Sequence, residues 1–229
     1  MSATVSAEDQ KRAAAAAAAL LVQPGMTVGL GTGSTAAHFV RALAGRGLDV
    51  VGVSTSNATE ALALALGLRT IALDAAGMID LTVDGADEIG PHLALIKGGG
   101  AALLREKLVW EASRRCVVIA DAAKQVESLG RFALPIEVAA FGHASTARRL
   151  AAHIEGQFVL RERNGTPVLT DGGNVLYDLA AFPITDPAAL GRTLDGVTGV
   201  VEHGLFLGLA QSALIGTGTG VETVFAHPI

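Results

Sequence analysis

Four short blocks carry the side chains that could do chemistry. DGADE groups Asp84, Asp87 and Glu88, LIKGGG sets Lys97 against Gly98, Gly99 and Gly100, and REK carries Glu106 in a helix-like run. Positioned carboxylates can carry protons, and a fixed ammonium stabilises an oxygen that becomes negative during a reaction. The fourth block, GLGTGST at residues 29–35, lies between a short apolar run and the helix-like run 36–43. Strand, tight turn and helix in that order make a phosphate pocket. Glycines admit the ligand to the backbone, and the unpaired N–H groups of the first helical turn point at the anion. Ser34 and Thr35 add hydroxyl donors there, so the chain is expected to bind something phosphorylated.

Each block also has a purely structural reading. Asp84 followed by Gly85 is a common turn pair, and Glu106 within REK fits a solvated helix position. Lys11 and Lys124 read as surface charges unless the fold brings them to the pocket. Lys97 is harder to explain this way, since a bare glycine loop beside a lysine invites an anionic oxygen.

The elements that must position these residues alternate between apolar runs and helix-like stretches, the pattern of a parallel sheet covered by helices. Candidate strands are residues 27–30, 50–53, 71–73, 81–83, 93–96 and 117–120. Ligands of such sheets collect at the carboxyl ends of the strands. The glycine turn, Asp84, Lys97, Asp121 and Lys124 all come after an apolar run. A helix capped near Ser6 and stopped by Pro24 precedes the first strand. The late GTGTG at residues 216–220 reads as a strand-ending turn.

Several chemistries lack their residues. A dinucleotide site requires GxGxxG and an acid about 20 residues on, but this turn reads GxGxG and the run 48–53 leads into Ser54, Thr55, Ser56 and Asn57. A nucleoside-triphosphate loop would end in Lys followed by Ser or Thr, which is missing. The histidines His38, His92, His143, His153, His203 and His227 show no metal-ligand spacing, and Ser212 lacks the GxSxG of a nucleophile elbow. No metal is expected. The net charge of −5 and the lack of a basic tract argue against nucleic acid. The single cysteine, Cys116, falls in a strand-like apolar run and fits a reducing compartment. The alanine run 13–19 is too short for a membrane span and is preceded by Glu8 and Asp9, so a cytoplasmic protein is expected.

The pattern changes near LPIEV, residues 134–138. Helix-like ARRLAAHI, strand-like FVLRER, a turn at Asn164 and Gly165, strand-like PVLTDGG and helix-like ALGRTLDG follow, ending at GVVEHGLF. A small α+β sandwich fits this order. The domain expectation is therefore residues 1–131 with 204–229 for the larger domain, and 132–203 for the smaller.

Taken in order, GLGTGSTAAHF, VSTSNATEALA, DLTVDGADEIG, LIKGGGAALLREKLV, IADAAKQVESLG, LPIEV, TDGGNVLYDL and GVVEHGLF resemble the A-type ribose-5-phosphate isomerases over nearly the whole chain. The resemblance implies an α/β fold, a Rossmann-like, mostly parallel sheet with covering helices, plus a small ferredoxin-like α+β domain. It also implies a homo-oligomer, a dimer or tetramer, acting on a sugar phosphate without cofactor, in the non-oxidative branch of the pentose phosphate pathway. By motif, Glu106 matches the catalytic base, Asp84 and Asp87 the acids at the sugar oxygens, and Lys97 the cation that steadies the enediolate. Thr32, Gly33, Ser34 and Thr35 match the substrate loop, with Lys11 and Lys124 as basic partners of the phosphate. Gly85, Ala86, Gly98, Gly99 and Gly100 complete the implied substrate contacts. A departure from the family is RFALPIEV at residues 131–138, where relatives often have KFPLPVEV. A non-catalytic sugar-phosphate sensor is the competing reading; the roughly 25 residues before the first strand are too few for a helix-turn-helix domain.

Overall fold

The computed structural model describes residues 5–181 and 183–226, which divide into two compact units. The first comprises Met1–Ala86, Arg105–Gln125 and Gly208–Ile229, and the second Asp87–Leu104 and Val126–Leu207. By packing, the chain thus passes between units at 86, 104, 125 and 207, whereas the sequence pattern changes near 131 and 204. His227 lies outside the described residues.

The first unit is a seven-stranded sheet, and its short parallel strands are apolar because helices cover them. Thr27–Leu30 is central. Val51–Ser54 and then Arg69–Thr70 lie on one side of it, and Leu81–Asp84, Cys116–Asp121 and Ser212–Gly216 on the other, all parallel. Val221–Phe225 closes the far edge antiparallel, through the turn expected at residues 216–220. The strand order therefore reverses direction between Thr27–Leu30 and Leu81–Asp84, which is where ligands of open α/β sheets bind. The N-terminal helix Ala7–Ala19 is capped by Ser6, whose side chain accepts from Asp9 N–H. Its alanine face, with Ala14, Ala15 and Ala18 fully buried, packs with Phe39, Val40 and Leu43 of the helix Ser34–Ala44.

Two strand expectations fail. Residues 71–73 do not form a strand; Arg69–Thr70 pairs instead, and Leu73–Ala76 is a short helix. Residues 93–96 do not join the parallel sheet. Leu95–Ile96 pairs antiparallel with Glu88–Ile89 and Leu205–Phe206 in a separate three-stranded sheet. The connection after Asp84 is too short for the crossover of about a dozen residues that a parallel neighbour needs.

The second unit carries a four-stranded antiparallel sheet in the order Val200–His203, Leu134–Val138, Val175–Ala180, Gln157–Leu160. The helix His143–His153 follows its first strand in the chain and Pro187–Asp195 precedes its last. That βαββαβ order is the ferredoxin-like arrangement. The strand expected within PVLTDGG is only Thr166–Pro167, and the long strand is the following Val175–Ala180. Asn164 and Gly165, at φ 54° and 76°, turn the hairpin between Glu162–Arg163 and Thr166–Pro167. Ile136, Leu150, Leu179 and Leu194 are at the centre of this unit's core. Among the described residues no helix is long and apolar enough to cross a membrane.

Tyr177 in this core meets His143 Nδ1 through its hydroxyl at 2.8 Å. Burial raises the phenol above its usual 10.0, so the unfolded chain loses that proton first. The stability linked to Tyr177 is complete below pH 10 and falls as pH rises toward the higher folded value. Tyr177→Phe is expected to flatten this alkaline limb in urea unfolding curves; an unchanged limb would remove Tyr177 as its source.

Candidate active site

In the first unit, the glycine turn and Asp84 meet at the point where strand order reverses. Gly31 N–H donates to the Val83 carbonyl at 3.0 Å, extending the pairing of their strands by one bond. This places Thr32 N–H on Asp84 Oδ1 at 3.0 Å, and Gly85 N–H donates to the same oxygen at 2.7 Å. A Cβ on Gly31 would overlap the Asp84 carboxylate. Asp84 is fully buried and oriented by peptide donors, which the turn-pair reading does not account for.

A cluster of hydroxyls braces the loop from below. Thr32 Oγ1 lies 2.7 Å from Thr55 Oγ1, 2.9 Å from Ser56 Oγ and 3.1 Å from Thr59 Oγ1. Thr55 and Thr59 hydroxyls in turn donate to the Leu30 and Gly31 carbonyls. Sequence reasoning missed these residues. It read the stretch after Val53 for a missing acid and as a block of the family resemblance, without giving these hydroxyls a role, although the run Ser54-Thr55-Ser56 was itself a signal. Thr32 thus spends both its hydroxyl and its N–H on holding the loop and Asp84.

Beyond Thr32 the turn opens. Gly33 has φ +107°, a conformation that favours glycine, and caps the helix Ser34–Ala44 without a side-chain hydrogen bond. No acid stands in that helix's first turn, so its N–H groups form a positive end suited to an anion. Lys11 Nζ reaches Ser34 Oγ at 3.4 Å from the N-terminal helix. The fold therefore brings Lys11 to the turn, as a ligand role requires. Gln10 on the same helix accepts from Ala122 N–H at 3.1 Å, which ties it to the turn Ala122–Lys124 that carries Lys124. His38 and Glu8 meet at 2.6 Å beside Lys11, and this contact lowers the Glu8 carboxyl below its usual 4.5.

Glu106 lies in the first turn of the helix Leu103–Glu111 and is only 3% exposed. The solvated-helix reading is excluded.

The second unit holds the other candidates. Lys97, 2% exposed, donates its N–H to the Gly204 carbonyl at 2.9 Å, and its Nζ lies 5.4 Å from the Phe206 ring centre, within cation–π range. Gly98 takes φ +103°. Gly99 N–H donates to Asp87 Oδ2 at 2.7 Å, and a Cβ on Gly99 would come within 2.5 Å of Asp87 Oδ1. Gly100 is exposed beyond them, while Gly85 and Ala86 are half-buried beside Asp84 in the first unit.

Histidine spacing predicted no metal cluster, yet tertiary structure gathers Asp195, Glu202 and His203, whose possible ligand atoms lie within 4.8 Å of one another. Leu205 N–H donates to His203 Nδ1 at 3.2 Å, so the ring proton is on Nε2, which faces Asp195 Oδ1 at 3.3 Å. A ligating histidine ordinarily donates from its second nitrogen. Here that nitrogen already accepts.

The family model described as Ribose 5-phosphate isomerase A (phosphoriboisomerase A) matches residues 51–220, and that of the DeoR C terminal sensor domain matches residues 6–73. A Ribose-5-phosphate isomerase A from Caulobacter sp. (strain K31) is 63% identical over 222 residues, 95% of this chain and 98% of its own. One from Parvibaculum lavamentivorans is 50% identical over 97% of this chain and 100% of its own. Among solved structures, ribose 5-phosphate isomerase A from Methanocaldococcus jannaschii superposes with a TM-score of 0.91 at 38% identity, covering 96% of this chain and 100% of that one. A D-ribose-5-phosphate isomerase in complex with phospho-erythronic acid gives 0.92 at 36% identity, covering 96% and 99%.

Gly31→Ala is expected to drive a methyl group into Asp84 and destabilise the fold by about 1–3 kcal/mol. Urea unfolding measures it, and a variant as stable as the parent would show that the loop yields.

Proposed function

The chain belongs to the ribose 5-phosphate isomerase A family, and we propose that it interconverts D-ribose 5-phosphate and D-ribulose 5-phosphate through an enediolate, with Glu106 moving the proton. Glu106 takes the proton from C2 of the opened aldose and returns it to C1. One oxygen-bound proton moves from O2 to O1, so C2 is oxidised as C1 is reduced. The redox change balances within the sugar, and no external oxidant or reductant enters.

Asp84 and Asp87 assist ring opening and move protons at the sugar oxygens. Lys97 offsets the negative charge of the enediolate, the electrostatic contribution that usually dominates such catalysis. Gly33, Ser34 and Thr35 hold the phosphate with Lys11 and Lys124, Thr32 supports the loop, and Gly85, Ala86, Gly98, Gly99 and Gly100 offer backbone to the sugar. The phosphate does not react, and its binding energy orients the end that does. The phospho-erythronic acid in a related isomerase supports a phosphorylated sugar chain as the ligand class. A cytoplasmic homodimer or tetramer in the non-oxidative branch of the pentose phosphate pathway completes the reading.

The observation that carries the proposal is the burial of Glu106, at 3% exposure, on a helix that directly follows the Lys97 glycine loop. A carboxylate enclosed by the protein and kept from bulk water is a group suited to take a proton from carbon. The sensor-domain match covers the stretch with Lys11 and Ser34, whereas the isomerase model extends over Asp84, Lys97 and Glu106. The isomerase reading therefore accounts for more of the site.

Mixing the protein with ribose 5-phosphate alone, without cofactor, is expected to yield ribulose 5-phosphate; no product would sink the proposal. Glu106→Gln is expected to lower kcat by about 10²–10⁴-fold with KM little changed, and near-normal turnover would take the base role from Glu106. Ser34→Ala combined with Thr35→Ala is expected chiefly to raise KM. An unchanged KM would place the phosphate elsewhere.

A further inference from the structure

The second unit contains an arginine that none of these roles uses. Arg161 follows the strand Gln157–Leu160 and is gripped by Asp178 on the neighbouring strand Val175–Ala180. Its Nε donates to Asp178 Oδ2 at 2.8 Å and its Nη2 donates to Oδ1. This two-point hold fixes the plane of the guanidinium and so the direction of the remaining nitrogen. Nη1 donates to the Gly98 carbonyl at 2.9 Å and the Gly99 carbonyl at 3.3 Å. The two side chains are 16% and 24% exposed, which sets the pair apart from exposed ion pairs of little consequence.

The effect passes through one peptide group. In a trans peptide the C=O and N–H point in opposite directions. The carbonyl of the unit joining Gly98 to Gly99 faces Arg161, and its N–H, on the other side, donates to Asp87 Oδ2 at 2.7 Å. Three consecutive glycines have little intrinsic preference for this conformation. Ala101 N–H, donating to the Gly98 carbonyl at 3.0 Å, closes the turn from within, and Arg161 holds it from outside.

We propose that Arg161, held by Asp178, is a positioning residue of the isomerase: it fixes the peptide between Gly98 and Gly99, and through it the Asp87 carboxylate and the turn that follows Lys97. The proposal rests on the isomerase reading of Asp87 and Lys97 given above. Arg161 acts through the backbone. Its loss therefore disturbs the reacting end of the sugar rather than the grip on the phosphate.

Steady-state kinetics with ribose 5-phosphate and thermal melts of the full chain test this. Arg161→Met is expected to lower kcat by about 10- to 100-fold, the scale of a small misplacement, with KM within about threefold. Arg161→Lys keeps the charge but cannot hold Asp178 with two nitrogens while reaching both carbonyls, so it recovers only part of the rate. Asp178→Asn lowers kcat less. Combined with Arg161→Met it adds nothing further, because both act on the same peptide. A folded Arg161→Met enzyme with kcat within about twofold of the parent overturns the proposal. So does a raised KM at unchanged kcat, which would put Arg161 on the substrate. Should Arg161→Met fail to fold, Asp178→Asn decides, and an unchanged kcat there overturns the proposal. A parent chain inactive on ribose 5-phosphate overturns both readings; an active parent with an unaffected Arg161→Met overturns the positioning role alone.

Discussion

Asp84 and Asp87 are each held by backbone N–H groups that reach them because a glycine stands at the point of closest approach. Thr32 and Gly85 donate to Asp84 while Gly31 leaves room for its carboxylate, and Gly99 both donates to Asp87 and lies against it. Peptide donors are fixed by the fold and carry no side-chain entropy.

Burial alone does not mark a working carboxylate in this chain. Glu88, next to Asp87, is 3% exposed, and both its oxygens accept from backbone N–H groups, of Gly130 and Phe132. It ties the chain after Ile89 to the segment that enters the small sheet, with both oxygens engaged. Asp87 is half-buried with one oxygen on Gly99. The same five-residue block therefore holds its acids in different ways. Glu88 takes a peptide donor on each oxygen, whereas Thr32 and Gly85 both donate to the same oxygen of Asp84.

Much of the fold was legible because its signals are local. The alanine-rich helix, its Ser6 cap, the central strand Thr27–Leu30 and the glycine turn are set by residues within a few positions of one another. Leu95–Ile96 was misread because a two-residue apolar pair looks the same in a parallel and an antiparallel sheet. Only the distance back to Asp84 decides between them. Val175–Ala180 was missed for a related reason: TDGGN draws attention as a turn, and the strand that follows it mixes Tyr177 and Asp178 among its aliphatics.

By itself the sequence determined which residue types were available and where the backbone could bend: hydroxyls at a glycine turn, acids in DGADE, a lysine before three glycines, and a family resemblance carried by those blocks in order. Tertiary structure decided what each side chain meets. It buried Glu106, brought Lys11 to Ser34 across 23 positions, set Thr55 and Thr59 beneath the turn, and placed Arg161 on the carbonyls of Gly98 and Gly99. Local propensity depends on neighbours in the chain, whereas burial and hydrogen bonding depend on neighbours in space, and those exist only once the sheets have formed.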